Sequence, residues 1–538
     1  MAIGALVLMG WLSRLPLGVG WYHDDGVYVA TAHAIAEGRG PRLDYLPGSP
    51  FATRYPLLWP ALLAIPLRAA HAPLADLAGP LVLLPGAIAF PLALLAWGRT
   101  LRRSWRLGAA ATALLLSALA LNPVCLEFCR FPMSEIPFLA LSLWAVALAD
   151  DPAPPSRGRE TAAALLAVAA LHTRLAGVSL VAALLCAYAV RRRAFACAVT
   201  LLLTASSLGA WALFLRAAHA ANGALSVSPL LAYDLGYGGY VAGGAGRIVQ
   251  AALESPRTAF FAAHIALGAT APMRLLERAQ SGGSAIPLAA AVLGLLFLSA
   301  IGARARMAGR APLRPIAHME TFYVAFTLGI VLLWPAATWR LLVPIAPWLL
   351  ALPVAGLAHV WPRIRGVAEA GAGALLALAI AGLPWNVPPA PGVFLAGGFP
   401  VGTAPLARAM DAVRRLPPDA RVGSPMPPLV WLRTGRRGVG SWVEGRVGGT
   451  SLEGRSLRTF FVGGGDDGSR DAWRSMEEAL AEYPRLGVGY ALSRKFPPPD
   501  LFGAAVAGIP GARGLFRSHE YDLYALPWGP RIGKDAEP

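Results

Sequence analysis

Lysine is almost absent from this chain. Lys495 and Lys534 are the only two among 538 residues, so nearly all of the net charge of +17 rests on arginine. Acid is scarce as well: charged residues make up 14% of the sequence, and only 15 of its 30 Asp and Glu lie in residues 1–384. The four cysteines, Cys125, Cys129, Cys186 and Cys197, sit in or beside apolar segments. They show neither metal-ligand spacing nor a disulfide framework, and read as small packing residues. No P-loop and no GxSxG occurs. What is present is apolar: 56% of residues are hydrophobic and the mean hydropathy is +0.53. That is more apolar surface than one soluble core hides, which makes the chain a polytopic membrane protein surrounded by lipid. The arginines cluster between apolar runs, so positive-inside anchoring accounts for them and nucleic acid is excluded as a partner.

Eleven apolar runs have the character of bilayer-crossing segments, near 2–19, 79–98, 107–123, 135–149, 160–172, 175–190, 194–217, 285–302, 317–334, 341–359 and 366–384. The first lacks a basic n-region and a small-x-small cleavage site, and is expected to be a retained helix. Residues 55–73 are a twelfth candidate, with four prolines and Arg68. If they do not cross, the clusters at Arg99–Arg106, Arg157/Arg159, Arg191–Arg193, Arg304–Arg314 and Arg363/Arg365 all face the cytoplasm, so this segment is expected to be a juxtamembrane helix on the outer face.

The expected architecture is an all-α polytopic membrane domain of about 11 helices over 1–384, with juxtamembrane helices in the first outer loop. A C-terminal extracytoplasmic α/β domain over 385–538 completes it. The outer loops are then 20–78 and 218–284. The second contains YDLGYGGYVAGGAG, residues 233–246, which reads as a glycine-rich connection or as a flap over a site. In the tail the pattern predicts helices at LARAMDAVRRL, PLVWLRTG and DAWRSMEEALAEY. Strands are predicted at ARVGS, LGVGYALS and LFRSHEYDLYAL. Its role is read as acceptor contact or a lid.

A carboxylate near the membrane is costly unless a cation, a proton or a substrate meets it. Asp24 and Asp25 open a predicted helix directly after the first apolar run, where Asp also caps orphan N–H groups. One cap does not require two adjacent charges. Glu135 stands at the outer start of another apolar helix, where Ser134 and Glu135 read as part of an N-terminal cap or as functional groups. Arg54, Arg174 and Arg340 recur at outer helix ends, either snorkelling to headgroups or converging with the acids on an anionic substrate. His172 reads as structural, and His23, next to Asp24, as the better site candidate.

These residues carry a resemblance. The pattern D-[DE]-x-x-Y at Asp24, Asp25 and Tyr28 is followed by A-x-x-I-x-x-G at Ala32, Ile35 and Gly38, and by Arg54, Tyr55 and Pro56. Later come the MSE step at Ser134 and Glu135, TR-x-x-G at Thr173, Arg174 and Gly177, and R-x-x-x-P-x-x-P at Arg340, Pro344 and Pro347. In this order the chain resembles the GT-C superfamily of polyprenyl-phosphate-sugar-dependent glycosyltransferases, the group of the protein O-mannosyltransferases and the lipid A aminoarabinose transferases.

The resemblance implies that Asp24 is the catalytic carboxylate, with Asp25 as a neighbour that holds acceptor or metal and Glu135 as the second outer-loop acid. It implies that Arg54, Arg174 and Arg340 hold the lipid phosphate, with Tyr28, Tyr55 and His23 beside the substrate. Glu135 stands where some members have Asp, and Asp25 where Glu is common, which leaves the subfamily open. The implied activity is inverting transfer of a hexose or pentose from a polyprenyl-phosphate donor to a lipid, glycan or protein acceptor. It would take place on the extracytoplasmic side of a bacterial cytoplasmic membrane. No cofactor is demanded; a divalent cation is permitted. The rival reading is a transporter or lipid flippase with Asp24 and Glu135 as proton or substrate sites.

Overall fold

A computed structural model describes residues 19–20, 23–71, 80–151, 154–223, 225, 228, 231–235, 319–333, 339–360, 366–386, 393–396, 399–441, 477–495 and 501–529. The apolar runs near 2–19 and 285–302 lie outside the described residues apart from Val19, as do 236–246 of the glycine-rich stretch; every other run coincides with a helix. The helix Glu135–Ala149 is apolar on all sides and buried along nearly its whole length. It lies between Leu84–Arg103 and Arg157–Thr173. Small residues of the latter, Ala163, Ala167 and Ala170, are fully buried at i, i+4 and i+7, which lets the backbones approach closely.

Among the described residues two helices are long and apolar enough to cross a bilayer, Leu81–Arg103 and Ala194–Asn222. Others, such as Ala109–Ala120 with 12 residues, are about 18 Å long, short of a hydrocarbon layer of about 30 Å. Helix length therefore does not by itself yield eleven spans. The outward faces are nonetheless apolar: Leu84, Ile88, Leu92 and Leu95 form an exposed stripe, and Leu202 and Leu213 are 67% and 71% exposed. At one end of the bundle Asp151 pairs with Arg99, Arg103 and Arg159. Asp150 pairs with Arg191 and accepts from the Met319 N–H at the start of Met319–Leu333. Three of the predicted cytoplasmic arginine clusters thus meet at the end opposite Glu135.

The segment 55–73 forms the helix Leu58–Ala70, which buries Trp59, Leu63 and Leu67 at successive i+4 steps against the helix Asp24–Ala36. Trp59 Nε1 donates to the Pro132 carbonyl at 2.8 Å and ties this helix to the loop before Glu135.

The tail contains a hairpin, β1 Val393–Ala396 with β2 Phe399–Gly402, and a five-stranded sheet of order β4-β3-β5-β7-β6. β3 (Arg421–Gly423) runs parallel to β4 (Arg437–Val439) and to β5 (Tyr490–Arg494). β6 (Arg513–Arg517) and β7 (Tyr521–Ala525) are antiparallel neighbours. The helix Pro427–Thr434 makes the crossover from β3 to β4. LFRSHEYDLYAL, predicted as one strand, is two. Ser518 Oγ accepts from Tyr521 N–H at 2.9 Å and folds the chain back between β6 and β7. Along β5 and β7 the side chains alternate. Tyr490, Leu492, Tyr521 and Leu523 pack with the helix Thr403–Arg414, whereas Ala491 and Tyr524 face the helices 477–486 and Leu501–Ala507. That second face is continuous with the first outer loop: one core holds Val27, Tyr28, Tyr45 and Trp59 together with Trp431, Leu480, Tyr483 and Phe502.

Candidate active site

The helix Asp24–Ala36 starts on a tight turn. Gly20 has φ 93°, and His23, its N-cap, has φ 62° and ψ −59°, a γ-turn conformation strained for a residue with a Cβ. The cap expected from the aspartates is absent, because Asp24 and Asp25 are already inside the helix and His23 makes no side-chain cap bond. Instead Asp25 Oδ2 reaches back and accepts from Gly20 N–H at 2.7 Å. The helix Pro427–Thr434 closes over this turn. A Cβ on Gly20 would stand 2.7 Å from the Leu429 backbone, and one on Gly26 2.5 Å from Pro428 Cβ.

Adjacent helical residues diverge by about 100°, so the two aspartates part company. Asp24 Oδ1 accepts from Tyr55 OH at 2.5 Å, and its Oδ2 lies 2.9 Å from Arg340 Nη1. Arg340 Nε then donates to Glu135 Oε1 at 2.8 Å, and Arg174 Nη1 meets the same oxygen at 2.7 Å. Ser134 is N-cap of its helix but makes no side-chain cap bond. Its Oγ accepts from Arg174 Nη1 at 3.0 Å and hydrogen-bonds Tyr28 OH at 3.1 Å, which uses the oxygen sideways. The Tyr28 and Tyr55 rings meet edge to face at 5.0 Å, and the Arg54 guanidinium lies 4.9 Å from the centre of the Tyr55 ring. Tyr55, Asp24, Arg340, Glu135, Arg174, Ser134 and Tyr28 thus form one continuous polar ring, with Glu135 fully buried and Asp24 7% exposed.

Burial pushes the Asp24 carboxyl up, but Arg340 and Arg54, with the Tyr55 hydrogen bond, outweigh it and hold the group at about 2. For Asp25 burial prevails over the N–H bonds from Gly20 and Gly26, and the charge on Asp24 adds to it, so that carboxyl is pushed up to about 7. Asp25 is fully buried and stands outside the polar ring. His23 also turns elsewhere. Its Nε2 meets Asp234 Oδ1 at 2.7 Å, and Tyr45 OH donates to the same oxygen at 2.6 Å. Burial lowers the His23 pKa, yet the Asp234 carboxylate more than offsets this and holds it above the ordinary histidine value. His172 lies against Trp211 at 6.2 Å, edge to face.

Asp234 and Tyr45 were not singled out from the sequence as site residues. Asp234 carries no local signal, and 211 residues separate it from His23. A divalent cation fits this arrangement poorly. The Asp24 oxygens are engaged by Tyr55 and Arg340, Glu135 Oε1 by two guanidiniums, and among the described residues no three His, Cys, Asp or Glu group to hold a metal.

No family model matches the chain, and neither does any curated protein. Solved structures do. ArnT from Cupriavidus metallidurans bound to undecaprenyl phosphate is 14% identical, with a TM-score of 0.52 over 99% of this chain and 98% of that one. The Archaeoglobus fulgidus oligosaccharyltransferase, in complex with Zn and sulfate, is 13% identical, with a TM-score of 0.50 over 91% of this chain and 68% of that one. Both are GT-C glycosyltransferases, and it is the GT-C fold that this chain has.

Proposed function

We propose that this chain is a membrane-embedded inverting glycosyltransferase that moves a sugar from a polyprenyl-phosphate donor to an acceptor hydroxyl on the outer face. The observation that carries the proposal is Arg340, which bridges Asp24 and Glu135 while Arg174 holds Glu135 from the other side. Fixed guanidiniums beside a buried ionised carboxylate provide an anion site next to a proton acceptor. The binding of undecaprenyl phosphate by ArnT, a protein of this fold, supports a polyprenyl phosphate as the anion.

The roles follow from the contacts. The acceptor oxygen attacks the anomeric carbon from the face opposite the phosphate. The carbon–oxygen bond to phosphate breaks with its electron pair, and the hydroxyl proton passes to Asp24. Arg340, Arg174 and Arg54 meet the charge that develops on the departing phosphate. Glu135 touches the two arginines, which makes it a positioning residue in this scheme, and Asp25 holds the turn from which Asp24 projects.

At about 2, Asp24 is a weak base while Arg340 is its partner. A donor phosphate competes for that same guanidinium, and its arrival frees the carboxylate to accept a proton. The exposed leucine stripes support helices surrounded by lipid, an environment that suits a polyprenyl tail beside the site. Among the described residues no specific contact favours the transporter reading.

The test is transfer of radiolabelled sugar from a panel of polyprenyl-phosphate sugars in membranes containing the wild type or Asp24→Asn. Transfer by the wild type, reduced roughly 10²- to 10⁴-fold in the variant, is expected. Equal transfer by both would remove Asp24 from the role, and no transfer from any donor would remove the activity.

A further inference from the structure

We infer that Asp234, at the start of the second outer loop, is a positioning residue that aims the Asp24 carboxylate into the arginine cluster. The inference rests on the transferase reading. Asp234 Oδ1 accepts from both His23 Nε2 and Tyr45 OH, at 2.7 and 2.6 Å. These bonds hold His23 at φ 62°, a conformation that persists only where the surroundings impose it. Asp24 is the next residue, so the direction in which its side chain leaves the turn is set by His23.

The same short helix, Ala232–Leu235, also reaches the segment that carries the other partner of Asp24. Thr53 Oγ1 donates to the Leu235 carbonyl at 2.5 Å, and Arg54 and Tyr55 follow directly. Tyr55 OH donates to Asp24. Neighbouring residues of the second loop therefore hold the residue before Asp24 and the one two before Tyr55. Leu231 and Leu235, both buried in the core shared with Tyr28 and Tyr55, fix the short helix itself.

Among the described residues, Asp234, Tyr45, Asp24 and Arg54 are charged and polar groups that face His23. With the carboxylate of Asp234 in place, His23 keeps its proton to higher pH, and an amide at that position would release it earlier.

The full-length protein is compared with Asp234→Ala, Asp234→Asn and Tyr45→Phe. For Asp234→Ala the expected result is a kcat lower by about 10- to 100-fold, with the donor KM within about threefold, since misaiming by an ångström costs rate rather than affinity. Amide hydrogen exchange at residues 24–27 is expected to accelerate by at least about tenfold while that of 136–146 stays unchanged. Asp234→Asn keeps an acceptor for Tyr45; it should recover most of the rate and move the alkaline limb of the rate profile to lower pH. A kcat within about twofold of wild type in Asp234→Ala, or unchanged exchange at 24–27, overturns the inference. If Asp234→Ala does not fold, an unmoved limb in Asp234→Asn together with unchanged exchange in Tyr45→Phe overturns it. If the wild type transfers no sugar, the transferase reading falls by itself, and exchange at 24–27 still decides whether Asp234 holds the turn.

Discussion

The guanidinium of Arg340 lies 2.9 Å from the carboxylate of Asp24, so the proposed base and the proposed phosphate ligand neutralise one another until a donor arrives. Removing Arg340 acts on both. Arg340→Ala should lower kcat/KM by about 10²- to 10³-fold, the loss typical of one fixed donor to a developing anion, and Arg340→Lys should recover only part. Initial rates against donor concentration measure both. A kcat/KM within about threefold of wild type in the alanine variant would place the phosphate elsewhere.

The pH dependence should differ between the free and the loaded protein. The Asp24 carboxyl, held at about 2, is ionised across the neutral range, so kcat/KM should show no acid limb from it above about pH 4. Once phosphate draws Arg340 away, the acid limb of kcat should appear at higher pH. Identical limbs in the two profiles would mean that Arg340 does not change partners.

Asp25 predicts a stability effect of opposite sign. Its carboxyl is raised from 3.8 to about 7 in the fold, so the folded state favours the protonated form. That contribution is complete below about pH 4 and is lost as the pH rises through 7. Asp25→Asn keeps an oxygen for the Gly20 N–H and removes the charge. It should raise Tm above pH 7 and leave it nearly unchanged near pH 4, as followed by thermal unfolding in detergent. A Tm gain that is the same at both values would contradict the assignment.

Glu135→Gln removes the buried carboxylate that Arg174 and Arg340 share and leaves Arg340 with Asp24. Loss of one partner of a buried pair costs about 3–5 kcal/mol, so Tm should fall clearly and transfer should be lost with it. Retained Tm and transfer would show that water or another group takes over the carboxylate.

Chelation gives a fifth expectation. The Asp24 oxygens and Glu135 Oε1 are engaged by arginine and tyrosine, which leads us to expect transfer to persist in EDTA. Loss of transfer in EDTA, restored by a divalent ion, would require the carboxylates to exchange their arginine partners for metal.

Much of this arrangement was visible in the sequence because it is written in short, local signals. Acids are so rare among the apolar runs that Asp24 and Glu135 stood out, and helix-end position marked Arg174 and Arg340. The structure brings these four together. Asp24 and Asp25 read in the sequence as parts of one site, but neighbours on a helix point about 100° apart and the two carboxylates have different partners. Other features depend on partners far away in the chain. Nothing local tells that Ser134 would spend its hydroxyl on Arg174 and Tyr28 rather than on a cap, or that Asp234 would meet His23. In the tail, β4 has only three residues, too few for a strand pattern.

The contact of Gly26 with Pro428 has a consequence for biosynthesis. A ribosome makes the helix of Asp24 early and the helix that covers its first turn hundreds of residues later, with Arg340 in between. Until then the turn lacks its cover and Asp24 lacks Arg340. On the proposed reading, an unfinished chain therefore carries Asp24 without Arg340 and without the cover of its turn, and it becomes competent only when the helix Pro427–Thr434 has docked.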